Sequence, residues 1–303
     1  MQLVEKAAAI QTERSGLSMC IGLVLEGGGN RGAYSAGVLD VLCRNDIYIP
    51  VTYAVSAGGC NAMSYLSKQI KRNFRIYTEY AADKRYCSLR NLMKTGCMFG
   101  YDFIFGEIAD KLIPFDYEEF DRTTMKLFLC STNVETGEAV FIDNKGLSKD
   151  LTPLVATASL PVVSNIVEYK GMKLLDGGVA SPIPIDKAIS DGITRNIVVL
   201  TRDKEYVKKD KPDFPLIYLR HKYKKYPQFV QAMIDRPKVY NRQRELCYSE
   251  QEAGRAIVIQ PSKPIKIKRS CKDPEILEEI YNLGVKDATE RLPEINRFIA
   301  VNE

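Results

Sequence analysis

Short apolar runs alternate with stretches of helical period along the first two thirds of the chain. Residues 21–25 form an unbroken aliphatic run that stops at a glycine cluster, which predicts a buried strand. Across 33–44, Ala33, Ala36, Gly37, Leu39, Val41 and Leu42 recur near helical spacing, and Val51–Val55 is a second strand-like run. The small residues of 57–66 then predict a helix packed close to its neighbours. A strand, a tight glycine turn and a helix, repeated, is the pattern of an α/β fold with a parallel sheet. Farther on, 127–133 and 139–143 flank Glu135-Thr136-Gly137 as a hairpin, and 166–169 and 172–175 flank Lys170-Gly171 as another. A helix over 151–160 should stop at Pro161. Buried strands are expected at 196–201 and 256–260, and a helix over 274–291. Residues 69–124 are charged, aromatic and mostly helical in character, with no assignable order. No repeat or low-complexity linker divides the chain. The expected organisation is an N-terminal segment 1–20, a core 21–202, and a mostly helical extension 203–303 that adds a strand and helices to the same domain.

Length and composition narrow the classes. A chain of 303 residues buries a sizeable core without disulfide or metal staples. Its 45% hydrophobic and 27% charged residues, with 20 Gly and 14 Pro, exclude collagen-like, disordered and disulfide-scaffold proteins. No apolar run approaches the roughly 20 residues needed to span a bilayer as a helix. In 1–20, Glu5, Lys6, Glu13 and Arg14 surround one short apolar patch, so no signal peptide is expected. Leu17-Ser18-Met19-Cys20 is faintly similar to a lipoprotein cleavage box, but no hydrophobic segment precedes it. The eight cysteines are scattered without a CxxC pair, and there is one histidine. That argues against a zinc site and for free thiols in a reducing cytoplasm.

Net charge is +5, too mild to argue nucleic-acid binding. The excess is local. Residues 202–226 hold nine Lys/Arg against four Asp/Glu, interleaved with Tyr206, Tyr218, Tyr223 and Tyr226. Such a stretch is either a solvated face or a patch that meets anionic lipid head groups at a membrane surface.

Three segments carry candidate chemistry. Gly27-Gly28-Gly29-Asn30-Arg31-Gly32 follows the first strand and opens a helix. Consecutive glycines let backbone N–H groups converge, and the helix N-terminus adds positive potential, so this nest suits a phosphate or a transient oxyanion. A dinucleotide-binding reading would need an acidic residue at the end of the second strand, which instead ends Ala54-Val55-Ser56. That second segment, Ala54-Val55-Ser56-Ala57-Gly58-Gly59, matches the nucleophile elbow GxSxG except that Ala54 replaces the first glycine. A serine there also reads simply as a helix cap. The third is Asp176-Gly177-Gly178, ordinary turn chemistry by itself, but followed by the rigid Pro182 and Pro184.

In this order the three resemble the patatin-like phospholipase family. Thr157-Ala158-Ser159-Leu160-Pro161 and Gly37-Val38-Leu39 add to the likeness, which covers about 21–202 and more faintly reaches Gln260. The resemblance implies a three-layer α/β/α sandwich with a mostly parallel central sheet. It also implies a serine–aspartate dyad, with Ser56 as nucleophile and Asp176 as the base that returns the proton to the leaving group. Backbone N–H groups of Gly28, Gly29 and Asn30 would form the oxyanion hole, which Arg31 would help shape. The implied reaction is hydrolysis of a lipid acyl ester through an acyl-enzyme, with no metal or cofactor. The aromatics Tyr86, Phe99, Tyr101, Phe103, Phe105 and Phe115 would form an acyl pocket or lid, or else ordinary core.

Two other readings stand beside it. Ser56, Asp176 and His221 fall in the chain order of an α/β-hydrolase triad. Against this, Ser56 follows only the second strand, and the cations around His221 oppose its protonation. The other reading is a non-catalytic lipid-binding protein of the same fold, to which the departure at Ala54 lends its one hint.

Overall fold

The computed structural model describes residues 21–300. The signal-peptide and lipoprotein-box questions, and Cys20, lie outside the described residues. Eight strands form one sheet: β1 (Ile21–Leu25), β2 (Val51–Val55), β3 (Lys126–Asn133), β4 (Ala139–Asp143), β5 (Val167–Tyr169), β6 (Met172–Asp176), β7 (Arg195–Val199) and β8 (Ala256–Ile259). Their order is β5-β6-β3-β2-β1-β7-β8, with β4 also paired to β3. The run β3-β2-β1-β7-β8 is parallel, while β4 and β6 pair antiparallel with β3. This is an α/β fold with a mostly parallel central sheet, as the strand–turn–helix repeat predicted.

The helices that matter here are α1 (Gly32–Arg44), α2 (Ala57–Leu66), α3 (Thr152–Ala158), α4 (Ile185–Ser190), α5 (Pro227–Glu252) and α6 (Pro274–Ala300). Strand residues alternate between two apolar clusters, because both faces of a parallel sheet are covered. Leu23, Leu25, Ala54, Leu127, Leu129, Ile197 and Val199 join the cluster that includes side chains of α1, α2 and α6. Val24, Tyr53, Val198 and Val258 join the opposite one, with side chains of α4 and α5.

Residues beyond 202 supply β8, hydrogen-bonded to β7, and the two longest helices. Two features differ from expectation. The 26-residue α5 has no counterpart among the predicted elements, because its buried residues are sparse and Pro237 interrupts it. In turn, α6 runs past the expected end at 291 and through Pro293. A proline inside a helix costs about 3 kcal/mol. Beyond it Ile295 and Phe298 rejoin the core, at about 1.5–3 kcal/mol each, which outweighs the loss.

Candidate active site

The parallel strands β1 and β2 end at the same edge of the sheet, so the loops leaving them meet. The β1 loop carries the glycine nest, and the β2 loop carries Ser56. Ser56 has φ 55° and ψ −127°, outside the regions a residue with a side chain ordinarily adopts, a strain of about 1–3 kcal/mol. The turn holds because its N–H donates to Thr157 Oγ1 at 2.9 Å. Thr157 in turn donates to the Cys130 carbonyl. Close packing fixes the rest: a Cβ on Gly58 would lie 2.8 Å from the Leu25 carbonyl oxygen. At Ala54, where the elbow pattern expects glycine, the extra methyl sits in the main apolar cluster, and that departure does not disturb the turn.

Ser56 Oγ donates to Asp176 Oδ2 at 2.6 Å. Asp176 is the last residue of β6 and is held from three sides. Its N–H donates to the Ser159 carbonyl at 2.8 Å, its carbonyl accepts from Thr132 Oγ1 at 2.9 Å, and its Oδ1 accepts from the Gly178 N–H at 2.7 Å. A side chain at position 177 is excluded, since its Cβ would stand 2.2 Å from the Cys130 carbonyl oxygen. Burial raises the Asp176 carboxyl above its ordinary value of 3.8, against the Ser56 hydroxyl, the Gly178 N–H and the positive fields of Arg236 and Arg269. Desolvation thus makes the carboxylate a stronger base than one in water.

The glycine nest opens as a short turn of 3-10 helix, Gly29–Arg31. Gly29 has φ 56°, and a Cβ there would meet the Arg269 carbonyl oxygen at 2.6 Å. Among the described residues, the N–H groups of Gly28 and Gly29 donate to no protein acceptor. Asn30 differs from expectation. Its N–H donates to the Arg269 carbonyl at 2.8 Å and its Nδ2 to the Cys271 carbonyl at 2.6 Å, so it braces the nest instead of offering a donor. Gly32 is set back from the cavities, with the Tyr77 hydroxyl filling the space of its missing side chain.

Two cavities meet at Ser56. One, with about 920 Å³ of atom-free space, runs under α2 and the 72–117 region, walled by Met63, Ile76, Ile104, Phe105, Phe115 and Leu154 among others. Of the six aromatics singled out in the sequence, Tyr86, Phe99, Tyr101, Phe105 and Phe115 line it. Phe103 instead packs in a small core cluster behind it. Its one charged lining residue, Arg72, is engaged, donating to Ser64 Oγ and the Ile113 carbonyl. Burial pushes the Cys60 thiol on this wall up to about 12, with the Asp176 charge adding to it, so it is not a thiolate nucleophile. The other cavity, with about 500 Å³ of atom-free space, is far more polar and is bordered by Gly27, Gly28, Gly29, Asp176, Gly178, four arginines and Lys208.

His221 is exposed on the helix Leu216–Lys222 and lines neither cavity. Asp176 accepts from Ser56 Oγ and the Gly178 N–H and not from His221, so the chain-order triad has no geometric counterpart. The 202–226 stretch divides: Arg202, Tyr206 and Lys208 face the polar cavity, Tyr223 is buried, and Tyr218, Lys222, Lys224 and Lys225 are exposed. Sequence reasoning gave no role to Thr157, which lay only within a family likeness, nor to Arg236 and Arg269, which are lone basic residues far away in the chain. Among the described residues no group of side chains is arranged to hold a metal ion, the seven cysteines are unpaired, and no helix is long and apolar enough to cross a membrane.

The profile of the patatin-like phospholipase family matches residues 23–189, more than half of the chain, and the chain belongs to that family. A second profile, a domain of unknown function (DUF6363), matches 226–300, which takes in α5, β8 and α6. The Escherichia coli (strain K12) uncharacterized protein YjjU is 24% identical over 191 residues, 60% of this chain and 52% of YjjU. Lysophospholipase NTE1 of Candida albicans is 27% identical over 189 residues, 59% of this chain but 13% of that much longer protein. The chain therefore spans about half of one relative and about an eighth of the other. Among solved structures, VipD from Legionella pneumophila aligns with a TM-score of 0.43 at 11% identity, over 91% of this chain and 67% of that one.

Proposed function

We propose that this protein hydrolyses carboxylic esters of lipids, as a phospholipase A or lysophospholipase, with a serine–aspartate dyad and no histidine. The observation that carries the reading is the 2.6 Å hydrogen bond from the strained Ser56 to buried Asp176, beside two unengaged glycine N–H groups. Asp176 takes the Oγ proton as Ser56 attacks the ester carbonyl. The N–H groups of Gly28 and Gly29 hold the oxyanion, at about 3 kcal/mol each in the transition state. Asp176 then returns the proton to the departing alkoxide, leaving Ser56 acylated. Water, deprotonated by Asp176, attacks the acyl-enzyme carbonyl; as the acyl–Oγ bond breaks Asp176 returns that proton to Ser56 Oγ, and the fatty acid leaves. The acyl chain occupies the apolar cavity.

We read 203–303 as part of the same domain, since Arg269 and Cys271 brace the nest and β8 extends the sheet. We read the exposed face of Ile217, Tyr218, Lys222, Lys224 and Lys225 as the surface that meets an anionic membrane from the cytoplasmic side. A fluorophosphonate probe tests the nucleophile: intact-mass analysis should show one adduct on Ser56, absent in Ser56→Ala. An unmodified wild-type protein that still binds lipid would support the non-catalytic reading instead.

A further inference from the structure

Five cationic side chains border the polar cavity next to Ser56: Arg31, Arg202, Lys208, Arg236 and Arg269. Three carboxylates lie among or behind them: Glu26, Asp176 and Asp213. Their engagements account for some of the positive charge and not the rest. Asp213 is shared by Lys208 at 2.8 Å, Arg236 at 2.9 Å and Arg269 at 3.3 Å. Arg236 and Arg269 also lower the Asp176 pKa by their charge. Glu26 accepts from the Thr201 N–H at 2.6 Å and the Tyr240 hydroxyl at 3.0 Å, and among the described residues it forms no ion pair.

Two guanidiniums are left over. Arg202 donates to the Ile265 carbonyl at 3.1 Å and stacks on Tyr206 at 4.3 Å, and among the described residues it meets no carboxylate within ion-pair distance. Arg31 is 6% exposed, its Nε has no hydrogen-bond partner, and its guanidinium forms no ion pair among the described residues. Burial and the charges of Arg202 and Arg269 lower its pKa to about 10, with Glu26 opposing them. A buried guanidinium repelled by its neighbours and lacking a hydrogen-bond partner is costly unless an anion completes the cluster. Planar guanidiniums match a phosphate's oxygens in paired hydrogen bonds, which a single transient oxyanion does not require.

From this arrangement we infer that the polar cavity is a head-group site for a phosphate-bearing lipid, and that the preferred substrates are acyl esters of glycerol phosphate whose head group carries no terminal cation. The inference rests on Ser56 being the nucleophile. It orders substrates by head group: a lysophosphatidate-type ester above a choline-bearing one, and both above an uncharged monoacylglycerol. The reason is geometric. The ester carbonyl at Ser56 leaves the acyl chain in the apolar cavity and puts the phosphate, a few bonds away, against Arg31 and Arg202. A terminal ammonium would enter a surface that already holds five cations.

The test uses three soluble substrates with the same octanoyl chain, namely octanoyl glycerol phosphate, octanoyl glycerophosphocholine and octanoyl glycerol, compared by kcat/KM. The phosphate ester should exceed octanoyl glycerol by about 30-fold or more, and the ratio should fall at least about tenfold in Arg202→Gln but by less in Lys208→Gln, whose charge Asp213 already engages. Equal kcat/KM for the three substrates overturns the inference, as does a choline ester hydrolysed fastest. Inorganic phosphate separates a head-group site from a free-anion site. If it inhibits hydrolysis of octanoyl glycerol through Arg202 while the phosphate ester gains nothing, the cavity binds free anions and the inference fails. Ser56→Ala runs alongside: hydrolysis of all three surviving in that variant would sink the nucleophile assignment, whereas hydrolysis lost with flat head-group ratios would sink only the inference.

Discussion

The two cavities beside Ser56 share Gly29, Ser56 and Leu160 but differ in chemistry and in how far along the chain the rest of their walls lie. Apart from Gly29, Asn30 and Ser56, the apolar one draws its walls from residues 57–160. The polar one takes Arg202, Tyr206, Lys208, Arg236, Tyr240 and Arg269 from beyond the region matched to the family. The same C-terminal stretch also holds the glycine nest, since Arg269 and Cys271 carbonyls fix Asn30. In the proposed reaction, an apolar wall on one side of Ser56 and a cationic one on the other would sort the two ends of a lipid before chemistry starts.

Removing the dyad should abolish the difference between the two walls as far as turnover can report it. Ser56→Ala is expected to lower kcat/KM by about 10⁴-fold for short and long esters alike. Thr157→Val removes the acceptor of the buried Ser56 N–H and a donor to Cys130, and should cost about 1–3 kcal/mol of stability in denaturant unfolding. An unchanged midpoint would mean that the elbow is held by packing alone. Ile104→Trp narrows the apolar cavity only, so kcat/KM for a dodecanoyl ester should drop at least about tenfold relative to a butyryl ester. A uniform drop would move the acyl chain elsewhere.

The pH profile probes the junction of the cavities. As the proposed base, Asp176 must be ionised to accept the Ser56 proton, and burial raises its pKa. Activity should therefore rise through one ionisation centred above 3.8. The sign for stability is opposite: a raised folded-state pKa favours the protonated form, so this group's stabilising contribution is full below 3.8 and fades as pH climbs through the folded value. An acid limb at or below 3.8 would mean that Asp176 is not the base.

The parts of the site contiguous in sequence were legible, and the parts that depend on long-range packing were not. The glycine nest, the serine elbow and Asp176-Gly177-Gly178 are local backbone devices, so their residues betray them. Strand positions followed from unbroken apolar runs, because a parallel sheet is buried on both faces. By contrast, α5 buries few residues and contains Pro237, so helical periodicity is weak along it. Arg236 and Arg269 are ordinary surface-type residues in isolation, and only the packing of α5 and the 261–271 loop turns them inward. Asn30 was misread for the same reason. Its acceptors, the carbonyls of Arg269 and Cys271, lie about 240 positions along the chain. His221 attracts attention as the lone histidine, yet its exposure leaves it nothing to act on.

The most direct measurement is hydrolysis of a medium-chain p-nitrophenyl ester by the wild type, Asp176→Asn and His221→Ala, with folding of each checked by circular dichroism. A dyad without histidine requires Asp176→Asn to fall below a tenth of the wild-type rate while His221→Ala stays within about twofold, as expected for an exposed residue. Activity retained in Asp176→Asn, or lost in a folded His221→Ala, would contradict the assignment of Asp176 as the base that serves Ser56.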